Sequence, residues 1–272
     1  MKRISSPHNP LVKEFAEAGR RPSAERFLAE GPNLIEAALA CGARLDAVFI
    51  TEAFLKKQNG KKFSGAVFER VLEHAIIVPE AIMKKASSTV SPQGMAAIAG
   101  VRPPALEDIV VRGKKPALIS VSDGIKEPGN MGSLIRLADA AGADACVVLA
   151  GSCNPYSAKS LRASAGSFFN LPVVETDLES LLKWLRAKTI SLIGADAAGG
   201  ESLFGADLTR PAAIAFGEEA HGLSQAVRRA AEFLLRIPIA GRAESLNVAA
   251  SSAVILFEAL RQRAGQKLKN TP

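Results

Sequence analysis

From residue 117 onward the chain sets near-continuous apolar runs between helical stretches: ALISVS, ACVVLA, PVVE, TISLIGA, AAIAFG and FLLRIPI. A strand with one wet face alternates apolar and polar residues, whereas a run apolar at nearly every position needs cover on both faces. Strands of that kind joined through helices pair in parallel. This part of the chain therefore predicts an α/β fold, a parallel sheet sandwiched between helices.

In an open parallel sheet, loops at the carboxyl ends of the strands line the ligand crevice. Three glycine-bearing segments fall at such ends: EPGNMGSLIR, FGEEAHGLS (Phe216 to Ser224) and IPIAGRAESLNVAAS (Ile237 to Ser251). Together they offer Asn130, Arg136, Glu219, Ser245 and Asn247 beside Ile237, Pro238 and Leu246. That mixture suits a pocket with an apolar lining and a few directed polar groups.

The first loop does not read as a phosphate cradle. The dinucleotide fingerprint needs three glycines in G-x-G-x-x-G, and Gly129 and Gly132 have the wrong spacing; the Walker loop needs a terminal Lys followed by Ser or Thr. Taken alone, the segment is equally a glycine turn entering a helix, with Asn130 as its N-cap and Arg136 on a solvated face. The last helix is expected from about Ser245 to Arg263, with Leu246, Ala249, Ala253, Leu256 and Leu260 at helical spacing.

Upstream lies a smaller α/β unit, with strands at RFLAEG, LDAVFIT, AIIVP and GMAAIAGV and a helix at PNLIEAALACG. The stretch VRPPALEDIVVRGKKP, with paired prolines and a GKKP turn, reads as a connection. The expected division is 1–103, a linker at 104–116, and 117–272.

The formal net charge is +7, with basic pairs at Arg20-Arg21, Lys56-Lys57 and Lys61-Lys62, which points to an anionic partner. Aromatic residues are only 5% of the chain, a poor basis for stacking single-stranded bases, so contacts directed at phosphates and RNA shape are expected instead. No apolar run is long enough to span a bilayer, and the N-terminus lacks the apolar core of a secretory signal. Three cysteines without a C-x-x-C pair fit reduced thiols, and His8, His74 and His221 show no ligand spacing. A cytoplasmic protein without a metal is the expectation.

The set N-x-G-x-L-x-R followed by ADAAGAD, then G-x-E-x-x-G, then IP-x-x-G with SLNVA and a helix ending FEALRQR, resembles the SpoU (TrmH) family of RNA ribose 2'-O-methyltransferases. YSAKSLRASAGSFFNLP is similar to the family's intermediate region, and ERFLAEGPNLIEAAL with SPQGMAAIAG to its substrate-binding domain. The resemblance implies a trefoil-knotted SPOUT methyltransferase domain preceded by a ribosomal-protein-like RNA-binding domain, a homodimer, and S-adenosylmethionine as methyl donor. It implies Arg136 as the catalytic arginine supported by Asn130, with Glu219, Ser245 and Asn247 organising the reacting hydroxyl. Gly217, Gly222, Ile237 and Leu246 match positions that hold the cofactor. Arg20, Arg21, Lys56, Lys57, Lys61, Lys62 and Arg162 are the expected RNA contacts. Ribosomal RNA is the preferred substrate. Transfer RNA, methylation of a base, and a non-catalytic role in ribosome assembly remain as alternatives. Where many members carry Asp before the proline of the first motif, this chain has Glu127, and Leu137 follows the arginine in place of Thr or Ser.

Overall fold

A parallel sheet needs each crossover helix to start and stop cleanly, and the chain supplies the caps. The structure, a computed structural model, describes residues 1–57, 71, 75–87, 89, 91–111 and 115–269. It divides into two compact units. One is Met1–Pro103 with Tyr156–Phe169, and the other Pro104–Pro155 with Asn170–Pro272.

The first unit begins with β1 (Lys2–Arg3) and α1 (Pro10–Arg20). Asn9 caps α1 by accepting from the Leu11 N–H at 3.0 Å, Pro10 opens it, and Val12, Phe15 and Ala18 form its buried stripe. There follow β2 (Phe27–Glu30), α2 (Pro32–Ala40), β3 (Arg44–Ile50), α3 (Glu52–Lys57), β4 (Ala75–Ile77), α4 (Glu80–Ala86) and β5 (Met95–Gly100). Among the described residues the strand order is β1-β4-β3-β5-β2, with β5 antiparallel to both its neighbours. The four strands expected here coincide with β2 to β5, while β1 and α1 were not anticipated. The lone helical turns of α6 (Ala158–Ala163) belong to this unit too. Tyr156 and Phe168 are buried against Phe27, with ring centroids 6.0 and 6.4 Å away.

The second unit carries β6 (Leu118–Asp123), α5 (Pro128–Ala140), β7 (Ala145–Leu149), β8 (Val173–Thr176), α7 (Leu178–Ala187), β9 (Ser191–Ala195), β10 (Glu201–Ser202), β11 (Ala212–Gly217), α8 (Gln225–Ala230), β12 (Phe233–Arg236) and α9 (Val248–Lys269). Among the described residues its sheet has seven strands in the order β10-β12-β9-β11-β6-β7-β8, parallel throughout. Every residue of β6 and β7 is buried, as their unbroken apolar runs require. Leu106 and Ile109, within the stretch read as a connection, pack into this unit's core with Trp184 and Leu185. β12 stops at Arg236, short of the expected end of FLLRIPI, because Pro238 cannot donate to a ladder.

Helix α9 runs from the strands' carboxyl ends back along the sheet, and one arginine anchors its far end. Arg263 donates to four main-chain carbonyls: Leu208 (2.9 Å), Pro116 (3.0 Å), Ala117 (3.1 Å) and Arg210 (2.8 Å). Burial pushes its pKa down, with the Asp144 charge opposing that shift. Arg263→Ala leaves these carbonyls unpaired, so the urea unfolding midpoint is expected to drop by the equivalent of at least about 2 kcal/mol. Among the described residues no helix is long and apolar enough to cross a membrane.

Candidate functional site

The carboxyl end of β6 opens the first glycine loop. Gly124 adopts φ +80°, and its N–H donates to the Ser152 hydroxyl at 2.9 Å. The N-cap of α5 is Glu127, whose carboxylate accepts from the Gly129 N–H at 3.2 Å, with Pro128 in the first turn. Asn130 is therefore not the cap considered above. Glu127 takes that place because proline fixes the backbone for the first helical turn right behind it. Freed from capping, Asn130 donates from Nδ2 to Glu219 Oε1 at 2.5 Å. Arg136 lies on the same face of α5 as Gly129 and Ser133 by helical period. It is exposed and without a hydrogen-bonding or charged partner among the described residues.

The second loop is a closed turn after β11. Glu218 donates its N–H to the Gly222 carbonyl at 2.9 Å, and Gly222 returns one at 2.8 Å. A Cβ on Gly217 would sit 2.2 Å from the Gly222 carbonyl carbon, so no side chain fits there. Gly222 itself has φ +68°. The turn exits into Ser224, whose N–H donates to Asp123 Oδ2 at 2.6 Å, tying it to the end of β6. Exposed His221 meets Glu218 at 3.3 Å on the rim.

The third loop leaves β12 through Ile237 and ends where Asn247 caps α9, its Oδ1 accepting from the Ala250 N–H at 2.7 Å. The helix starts at Val248 instead of Ser245 because an N-cap residue lies outside the helical backbone. Ser245 and Leu246 stay in the exposed loop.

A cavity of about 310 Å³ joins the second and third loops. Of the residues singled out above, Gly217, Glu219, Gly222, Ile237, Ser245 and Leu246 line it; Asn130, Arg136 and Asn247 do not. Asn130 reaches it through Glu219. The sequence reading missed the loop after β9, where Ala195, Asp196, Ala197 and Ala198 form one wall, and Arg228 of α8. The signal was present in GADAAGG, a small-residue loop at a strand's carboxyl end. What the residues do not announce is that β9 lies between β12 and β11.

Of the expected RNA contacts, Arg20 and Arg21 at the end of α1 are exposed and form no ion pair among the described residues. Lys56 is exposed on α3 and Lys57 ends that helix. Lys61 and Lys62 lie outside the described residues. Arg162 pairs with the nearly buried Glu30 at 2.9 Å.

A parallel α/β unit with glycine loops closing a small-molecule cavity at its strand ends belongs to the class of open-sheet ligand-binding domains. The model of the SpoU rRNA Methylase family matches residues 117–257, and that of the MRM3-like substrate binding domain residues 9–97. The chain belongs to the SpoU rRNA methylase family. It is 30% identical over 263 residues to 23S rRNA (guanosine(2553)-2'-O)-methyltransferase RlmP of Bacillus subtilis, covering 94% of this chain and 98% of that one. A solved RNA 2'-O ribose methyltransferase is similar at 36% identity and a TM-score of 0.78, covering 96% of this chain and 99% of the other. The AdoMet complex of the SpoU methyltransferase AviRb from Streptomyces viridochromogenes gives 28% and 0.81, covering 94% and 99%.

Proposed function

We propose that this protein transfers a methyl group from S-adenosylmethionine to a ribose 2'-hydroxyl of ribosomal RNA. The observation that carries this reading is the Asn130–Glu219 hydrogen bond, which joins the arginine-bearing helix of the first motif to the cavity built by the other two. The cavity volume lies at the small end of the range for sites that bury a nucleoside-sized ligand. Gly217, Gly222, Ile237 and Leu246, which line the cavity, would hold the cofactor, the glycines through main-chain groups and the other two through apolar side chains. Ribosomal RNA is favoured over transfer RNA because RlmP of Bacillus subtilis, a relative matched over nearly its full length, is by name a 23S rRNA 2'-O-methyltransferase.

Bound S-adenosylmethionine supplies an electrophilic methyl carbon on a positively charged sulfur. The chain's task is to place the hydroxyl in line with that carbon, and good alignment alone supplies roughly 7–11 kcal/mol in favourable cases. An arginine guanidinium offers five N–H donors and no acceptor, so Arg136 takes the part of a donor and not of a base. It donates to the phosphate beside the target ribose and to the oxygen as negative charge develops there. Glu219, oriented by Asn130, accepts from the hydroxyl.

Asn247 has two duties, and substitution separates them. Asn247→Ser keeps an N-cap, so stability is expected to stay within about 0.5 kcal/mol while methyl transfer falls. Methyl transfer retained together with stability would assign Asn247 to capping alone. Residues 1–103 bind RNA through Arg20, Arg21, Lys56 and the other basic residues of that span named above, with Arg162 added from later in the chain; 104–116 connect, and 117–272 catalyse. The crossing of β11 between β9 and β6, and the packing of α9 on α5, support a trefoil knot. The exposed Val254, Phe257 and Leu260, spaced along one face of α9, support a homodimer through that helix. A ribosomal substrate puts the protein in the cytoplasm.

The test incubates the protein with tritiated S-adenosylmethionine and, separately, ribosomal and transfer RNA, then digests to nucleosides. Label in a 2'-O-methyl nucleoside of ribosomal RNA is expected. Label on a base, or on transfer RNA alone, would refute the reading.

A further inference from the structure

We propose that Arg228 and Asp196 are positioning residues that hold two walls of the cofactor cavity at a fixed separation. The proposal rests on the reading of that cavity as the S-adenosylmethionine site. Both residues line it, from different elements: Asp196 opens the loop after β9, and Arg228 lies on α8 behind the second glycine turn. Their side chains form an ion pair, Arg228 Nη2 to Asp196 Oδ2. The Asp196 side chain is only 5% exposed and that of Arg228 31%.

Each partner is also fastened to its own wall. Asp196 Oδ1 accepts from the Ala198 N–H at 2.9 Å, its N–H donates to the Leu235 carbonyl at 2.9 Å, and its carbonyl accepts from Gly199 at 3.0 Å. Arg228 Nε donates to the Leu223 carbonyl at 3.4 Å, and Nη2 lies 3.7 Å from where a Gly222 Cβ would be. The guanidinium thus bridges the β9 loop and Leu223, the residue that follows the Gly217–Gly222 turn. Removing it leaves a nearly buried carboxylate unpaired, and such a group moves towards water. The β9 loop moves with it, and the cavity widens. The guanidinium is already matched by a carboxylate, so its role is to shape the cavity and not to contact the ligand.

Calorimetry of the full chain with S-adenosylhomocysteine and with 5'-methylthioadenosine, which lacks the amino-acid carboxylate, tests this. Arg228→Ala and Asp196→Asn are each expected to weaken both ligands about tenfold, by the same factor, and the double variant no further. Arg228→Lys restores part of the loss, and kcat at saturating S-adenosylmethionine stays within about twofold. Asp196→Asn keeps the acceptor for Ala198, so it tests the pair without unmaking the loop. Weaker binding of S-adenosylhomocysteine with 5'-methylthioadenosine unaffected would overturn the proposal in favour of direct contact with the ligand carboxylate. Unchanged affinity for both would overturn it as well. Failure of the unsubstituted protein to bind either ligand would defeat the cofactor reading itself, and is told apart because no substitution is involved.

Discussion

Arg136→Ala is expected to lower kcat for methyl transfer by about 10²–10³-fold, the range seen when one donor to developing negative charge is removed. Binding of S-adenosylmethionine should stay within about twofold, because Arg136 does not line the cavity. The residue is exposed and makes no intramolecular pair among the described residues, so its loss should leave the unfolding midpoint almost unmoved. Folded, cofactor-competent and inactive is the combined signature. Arg136→Lys separates the mechanisms further. A lysine keeps the charge but not the planar fork of donors, so it should recover little activity. A lysine variant that keeps most activity, with an unchanged pH–rate profile, would refute a bidentate role.

Gly217→Ala is expected to act through the opposite route, abolishing measurable cofactor binding. The new methyl would fall 2.2 Å from the Gly222 carbonyl carbon and 2.3 Å from its oxygen, and both are backbone atoms. No rotamer relieves the clash, so the two Glu218–Gly222 hydrogen bonds must open. Overpacking of this kind costs about 1–3 kcal/mol in stability, and the turn it breaks forms one cavity wall. Calorimetry should show no saturable uptake of S-adenosylhomocysteine, while circular dichroism shows the α/β fold retained. Wild-type affinity in this variant would mean the turn is not part of the binding surface.

The strands of the second unit were readable because burial on both faces leaves an unmistakable apolar run: β6, β7 and β11 begin and end within a residue or two of ALISVS, ACVVLA and AAIAFG. The three loops were legible for the same reason, as polar and glycine residues directly after such runs. Helix starts were harder. The starts of α5 and α9 depend on which of several polar residues takes the non-helical backbone: Glu127 caps α5 three positions before Asn130, and α9 begins at Val248, three positions after the expected Ser245. Strand order was not legible, since β9 enters between β12 and β11 through pairings remote in sequence. Hence the wall carrying Asp196 was missed. The two residues of β1, both exposed, carry no pattern at all.

The Tyr156–Phe169 excursion bears on how such chains can be rearranged. Between β7 and β8 the polypeptide leaves the second unit, delivers Tyr156 and Phe168 to Phe27 and Arg162 to Glu30, and returns. The amino-terminal unit is therefore discontinuous in the gene although compact in space. A cut at residue 103 would leave it without its aromatic plug and with the nearly buried Glu30 deprived of Arg162. Recombination that swaps only the first hundred residues must bring a matching segment from the middle of the donor. Otherwise it leaves an unfilled hole. The two halves of this chain can diversify, but their breakpoints are constrained in pairs.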